Sequence, residues 1–214
     1  MSAAVRLAAS DFAFNTWRFI GANVIFGAGL ILVVLTAFGW PPAIALLPLL
    51  AVPLAGMHRM AALLARGEPA ALSDFFDGMR RFGVHAVAIA AAELLAGIVL
   101  ATNAIAGFTS AEPTGWFVGA LAVYGLIALA MFAIAAWPLV VDPARDGWHL
   151  RMRLRAAALL VLARPARLFA LTLLIAIILI VSTLLLGGIV LVAASFGSLV
   201  ATRWVLPAAD QLAR

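Results

Sequence analysis

The chain has 214 residues, 66% of them hydrophobic and 11% charged, with a mean hydropathy of +1.17, a formal net charge of +5 and no cysteine. An apolar share this far above the roughly half found in soluble domains excludes a water-soluble globular fold, and the missing cysteine excludes disulfides, thiolate metal sites and cysteine nucleophiles. At about 20 residues per crossing of about 30 Å of hydrocarbon, the length accommodates about six membrane spans and no sizeable soluble domain.

The first residues mix Arg6, Asp11 and Arg18 with apolar positions, so the first long apolar run reads as a retained span and not as a cleavable signal core. It covers residues 19–38 and stops at Gly39-Trp40-Pro41-Pro42, where two prolines break one helix and begin the next. Span two follows over 42–64 with Pro48 and Pro53 inside it; their missing N–H groups predict a kink. His58, Arg59 and Arg66 mark its end. Ser73 then reads as a helix N-cap with Asp74 in the first turn, and Leu72, Phe75, Phe76, Met79 and Phe82 recur at helical spacing opposite Asp74, Asp77, Arg80 and Arg81. That pattern predicts a helix lying in the membrane interface.

Span three covers 84–106, a polar loop occupies 108–114, and span four runs over 115–141. A second amphipathic segment, 148–163, alternates Arg151, Arg153 and Arg155 with Leu150, Met152 and Leu154 and stops before Pro165; helix suits its length better than strand. The last apolar stretch, 168–207, is too long for one crossing, and Gly187-Gly188 supplies a hairpin turn between spans five and six. Each amphipathic segment feeds into a span through a basic edge, which suggests a faint internal duplication of 16–107 and 115–206 within a single membrane domain, 1–214. The predicted fold class is an all-α, polytopic membrane helix bundle: about six transmembrane helices plus two amphipathic interfacial helices.

Every basic side chain is arginine, and this arrangement puts all 14 on one side. Arginine beside a span resists translocation, so the bias predicts a plasma-membrane protein with both termini in the cytoplasm. The same arginines would attract anionic lipid headgroups, with Arg80, Arg81, Arg151 and Arg155 as candidate contacts beside Phe75 and Phe76. Topology explains the positive charge without nucleic acid. Trp17, Trp40, Trp116, Trp137, Trp148 and Trp204 all fall near predicted span ends, as interfacial tryptophans do, and imply no cofactor.

Few residues carry chemistry. Glu93 lies near the middle of span three, where an unpaired carboxylate would cost several kcal/mol or take up a proton. Its helical face reads Ala86, Ala90, Glu93, Gly97, Ala101 and Ala104, small residues that let another helix approach and turn the carboxyl inward. Tyr124, Ser195 and Ser198 are its candidate partners. One reading is a proton-coupling or ion-binding site that also draws on Asn23 and Asn103; the other, favoured for all three residues, is hydrogen bonding that fixes helix packing. His58, His85 and His149 show no HxxxH or HxxE spacing, so no metal site is predicted. No serine sits in a GxSxG elbow and no paired acids suggest hydrolysis, so no catalytic residue is assigned.

Asn23, the Pro41-Pro42 turn and the sequence PLAGMHRMAALLARGEPAALSDFFDGMRRF over 53–82 together resemble the YesL-like family of bacterial integral membrane proteins, a domain of unknown function. The features that carry the resemblance are Pro53, Ala55, Gly56, Arg66, Gly67, Glu68, Asp74, Phe75, Phe76 and Phe82. WPLVVD over 137–142 and RPARLF over 164–169 agree more loosely. The resemblance implies several membrane spans and an accessory role in carbohydrate uptake, and it assigns no catalytic residue. The expectation is therefore a non-enzymatic membrane protein that joins a transport system, with transporter subunits docking on the segment around Phe75 and Phe76. The alternative is a small channel or secondary transporter with a midplane site near Glu93. An intramembrane enzyme is the third choice.

Overall fold

The computed structural model describes residues 2–184 and 192–213, and the turn expected at Gly187-Gly188 lies outside them. The elements are α1 (Ser2–Phe14), α2 (Thr16–Gly39), a 3-10 segment (Pro41–Leu50), α3 (Ala51–Ala65), α4 (Leu72–Thr109), α5 (Pro113–Val140), a 3-10 turn (Pro143–Arg145), α6 (Leu150–Ala163), α7 (Pro165–Leu184) and α8 (Ala194–Leu212). No strand occurs among the described residues. Five of the described segments are long and apolar enough to cross a membrane: Thr16–Gly39, Pro41–Ala65, Leu72–Thr109, Pro113–Val140 and Pro165–Ser182. The chain is an all-α, multi-pass membrane bundle.

The expected sixth crossing is not among these five. Part of it falls outside the described residues, and α8, which carries Arg203 and Asp210, is a core helix with most of its residues buried. Helix α1 lies against it: Arg203 donates two bonds to Asp11 at 2.6 and 2.8 Å, and Phe12 meets Phe196 edge to face at 6.2 Å. Asn15 separates α1 from α2, its backbone leaving helical geometry while its side chain donates to the Asp11 carbonyl at 3.0 Å. Span two opens as a 3-10 segment holding Pro41, Pro42 and Pro48 and changes to regular α-helix at Ala51, two residues before Pro53. Gly67, at φ +81°, ends the span in the left-handed conformation and lets Glu68 N–H close on the Leu63 carbonyl at 2.9 Å.

The first amphipathic segment departs from expectation. It is no separate interfacial helix but the opening of α4, a continuous helix of 38 residues, about 57 Å long and well beyond the hydrocarbon thickness. The helix begins two residues earlier than Ser73 predicted: Ala71 is the N-cap, and its N–H donates to the Asp74 carboxylate at 2.6 Å. Part of the apolar stripe is covered by protein, while Leu72 and Phe76 stay exposed. Phe75 is fully buried and Phe82 nearly so, because α3 and α4 approach closely enough that a Cβ on Gly78 would sit 3.0 Å from Gly56 Cα.

The buried core gathers at one end of the bundle. It combines α3, the first half of α4, the last turns of α5 and most of α8, with Met57, Met60, Phe75, Leu139, Leu160, Leu168 and Leu199 fully buried. The other ends of the spans expose Leu32, Leu35, Phe38, Leu95, Ile105, Phe117 and Ile180, as lipid-facing helices do. There the α4–α5 hairpin closes on glycine: a Cβ on Gly107 would stand 2.5 Å from Gly119 N.

Candidate functional site

At the core-bearing end, the chain between α5 and α6 enters a network of arginines and aspartates. Asp142 is followed by Pro143, and its carboxylate accepts the Ala144 N–H at 3.2 Å, a side-chain-to-backbone turn that fixes the next residues. That turn brings Arg145 back onto Asp142, within direct ion-pair contact. Arg66, just past α3, donates Nε to Asp142 Oδ1 at 3.0 Å and Nη2 to Oδ2 at 2.6 Å, and its Nη1 reaches Asp210 near the end of α8 at 2.5 Å. Arg145 closes the ring through Asp210 Oδ1 at 2.6 Å. Two arginines and two aspartates thus form a neutral group joining α3, the α5–α6 connection and α8.

The hydrogen bonds to Asp142 and Asp210 push the Arg66 guanidinium still higher than its ordinary value. Burial pushes the Asp210 carboxyl up, but the hydrogen bonds from Arg66 and Arg145 outweigh it and hold the group below the usual carboxylate range. Taking such charges out of water is costly, and only this degree of mutual hydrogen bonding offsets it.

A second group sits beside the first and is not neutral. Asp146 accepts both ends of the Arg59 fork at 3.0 and 3.1 Å and Arg81 at 2.8 Å. Arg59, Arg81 and Arg153 surround the ring of Phe82, each guanidinium carbon 5.4–5.8 Å from its centroid. Arg153 donates to the last carbonyl of α5, Val140, and Arg59 to that of the following cap residue, Val141, satisfying groups that a helix end leaves open. Three guanidinium groups therefore crowd one ring, and only two of them, Arg59 and Arg81, hold the Asp146 carboxylate.

The residues singled out from sequence do not converge on one site. Asn23 is fully buried and pairs with Ser195, donating to its hydroxyl at 2.5 Å and accepting its N–H at 3.1 Å; here the packing role is the one the geometry displays. Tyr124 is exposed at 69% and Asn103 is exposed too, so neither faces Glu93. Glu93 instead neighbours Trp137 across the α4–α5 interface, and its Oε1 is buried with no hydrogen-bond partner. Trp137 is no interfacial residue: it is buried and stacks on His58 at 6.3 Å. Of the candidate surface contacts, Phe75 is internal, while Phe76, Arg80, Arg151 and Arg155 are exposed and Arg81 is half-exposed in its bond to Asp146.

Sequence reasoning passed over Asp142, Asp146 and Asp210 as site residues. The signal available was the density of acids and arginines in DPARDGW over 142–148, but nothing local names their partners. Comparison of the chain with protein-family models, with curated proteins and with solved structures finds no match in any of the three.

Proposed function

We propose that this chain is a non-enzymatic accessory subunit of a membrane transport system, with its arginine-rich end in the cytoplasm and that end serving as the platform on which a transporter subunit docks. The observation that carries this reading is the Arg66, Asp142, Arg145 and Asp210 ring. It ties the end of α3, the α5–α6 connection and α8 together at one end, and alternating access would require such elements to separate repeatedly. A fixed end with exposed Phe76, Arg80, Arg151 and Arg155 suits a binding face better than a gate. The resemblance to YesL-like proteins supports carbohydrate uptake as the setting.

Purification from native membranes in mild detergent tests the proposal. A transporter subunit should co-purify, and replacing Arg151 and Arg155 with glutamate should release it while the chain stays folded. Repeated isolation of the chain alone would count decisively against it.

One observation favours a second reading, a small channel or secondary transporter. Glu93 Oε1 and His58 Nδ1 are both buried without hydrogen-bond partners, and both residues neighbour Trp137. An intramembrane acid of this kind marks ion or proton pathways in other membrane proteins. Flux in proteoliposomes that falls with Glu93→Gln would support this reading; flux unaffected by that substitution would remove it.

A further inference from the structure

The two charge groups at the core-bearing end differ in how their arginines are paired. In the neutral ring each arginine faces two carboxylates. Arg153 faces none. Its side chain is buried to all but 6%, and Nε, Nη1 and Nη2 donate to the backbone carbonyls of Trp148, Val140 and Asp146. The Asp146 carboxylate, whose charge acts on Arg153, is occupied by Arg59 and Arg81. Asp74 and Asp77 line the neighbouring cleft with Arg80, and neither forms an ion pair with Arg153.

Arg153 lines a cleft of about 230 Å³ together with Phe82, His85, Trp148 and His149. Neither imidazole has a hydrogen-bond partner among the described residues, so their ring nitrogens are free to face an occupant. Helix α6 starts at the same place, with His149 as its N-cap and no acid in its first turn. The positive end of a helix dipole normally attracts acids and repels cations. Here it is met by His149, Arg151 and Arg153, an arrangement that an anion would convert from repulsive to attractive. Burial lowers the affinity of Arg153 for its own proton, and the charges of Arg81 and Arg59 act in the same direction, against the pull of Asp146 and Asp142.

From these observations we infer that the cleft between Phe82, Trp148, His149 and Arg153 binds a phosphoryl anion, supplied by the headgroup of an anionic phospholipid. Its position favours that source. The spanning helix α5 ends at Val140, whose carbonyl Arg153 holds, and a span end is where headgroup phosphates lie. Trp148, partly exposed at the rim, suits the same depth. Arg153 is buried and distinct from the exposed Arg151 and Arg155 of the docking face.

The test uses the full chain in detergent. Thermal unfolding and the fluorescence of Trp148, obtained by difference from a Trp148→Phe variant, are followed on adding phosphatidylglycerol, phosphatidylcholine, inorganic phosphate, or chloride at matched ionic strength. Phosphatidylglycerol should raise the unfolding midpoint and change the Trp148 signal, and phosphatidylcholine and chloride should do neither. His85→Gln with His149→Gln, both at the cleft mouth, should weaken binding roughly tenfold, the factor carried by one hydrogen bond to a charged group. Arg153→Lys should do the same, and the histidine pair keeps the test valid if that variant fails to fold. Saturation by inorganic phosphate with no response to phosphatidylglycerol would uphold the phosphoryl site and overturn its assignment to lipid. No response to either, or an equal response in the histidine variant with Trp148 silent, overturns the site itself.

Discussion

Asp142 and Arg66, 76 residues apart in the chain, meet in a two-point contact in which Nε and Nη2 of the guanidinium each hold one oxygen of a fully buried carboxylate, at 3.0 and 2.6 Å. That contact joins the end of the second span to the end of the fourth. Because the carboxylate has no access to water, its loss cannot be compensated by solvent.

Asp142→Ala should therefore destabilise the chain by about 3–5 kcal/mol, the cost of stranding a buried charge partner. Asp210→Asn should cost less, since that side chain is 35% exposed and water replaces part of what is lost. Thermal unfolding in one detergent, compared across the two variants, checks the order. Equal losses would show that the ring does not act as described.

The Asp210 carboxyl is held below its ordinary range by Arg66 and Arg145. A group with a lowered folded value stabilises above its unfolded value, about 3.9 for aspartate, and that contribution disappears as pH falls through the folded value. Stability should thus decline as the medium is acidified below pH about 4, and Asp210→Asn should flatten that part of the profile. Unfolding midpoints measured from neutral to acid pH for the two proteins give the answer.

Gly56→Ala should destabilise by about 1–3 kcal/mol, the usual cost of overpacking, because its new Cβ would stand 2.5 Å from the Phe75 carbonyl. Gly21→Ala, whose Cβ would meet nothing nearer than Leu72 Cδ1 at 3.8 Å, should be neutral or stabilising by up to about 1 kcal/mol through helix propensity. Chemical or thermal unfolding of the pair separates close helix contact from propensity.

The chain has no cysteine, so single introduced thiols report position without interference. Glu112→Cys should react with a membrane-impermeant maleimide on intact cells, and Arg151→Cys only after permeabilisation. The reverse result would invert the proposed orientation.

Much of the fold was legible in the sequence. Hydropathy placed the spans near Thr16–Gly39, Pro113–Val140 and Pro165–Ser182, because lipid exposure is a property each segment carries by itself. Proline marked the second span as irregular, but that the irregularity is a 3-10 segment ending at Ala51 was not readable from it. Amphipathicity misled at Phe75 and Phe82, since an apolar stripe looks the same whether lipid or α3 covers it. Tyr124 and Trp137 were misplaced for a similar reason: depth in a span is readable from sequence, but which side of the helix meets a neighbour is not.

What the sequence determined alone was the solvent, the helical class and the segregation of arginine, because these depend on sums over neighbouring residues. Only the tertiary structure decided that Arg66 meets Asp142 and Asp210, that three guanidinium groups surround Phe82, and that Arg153 is left without a carboxylate. Partners separated by 76 and 144 residues are chosen by how helices cross, and crossing geometry is set by small residues such as Gly56 and Gly78 acting together across an interface.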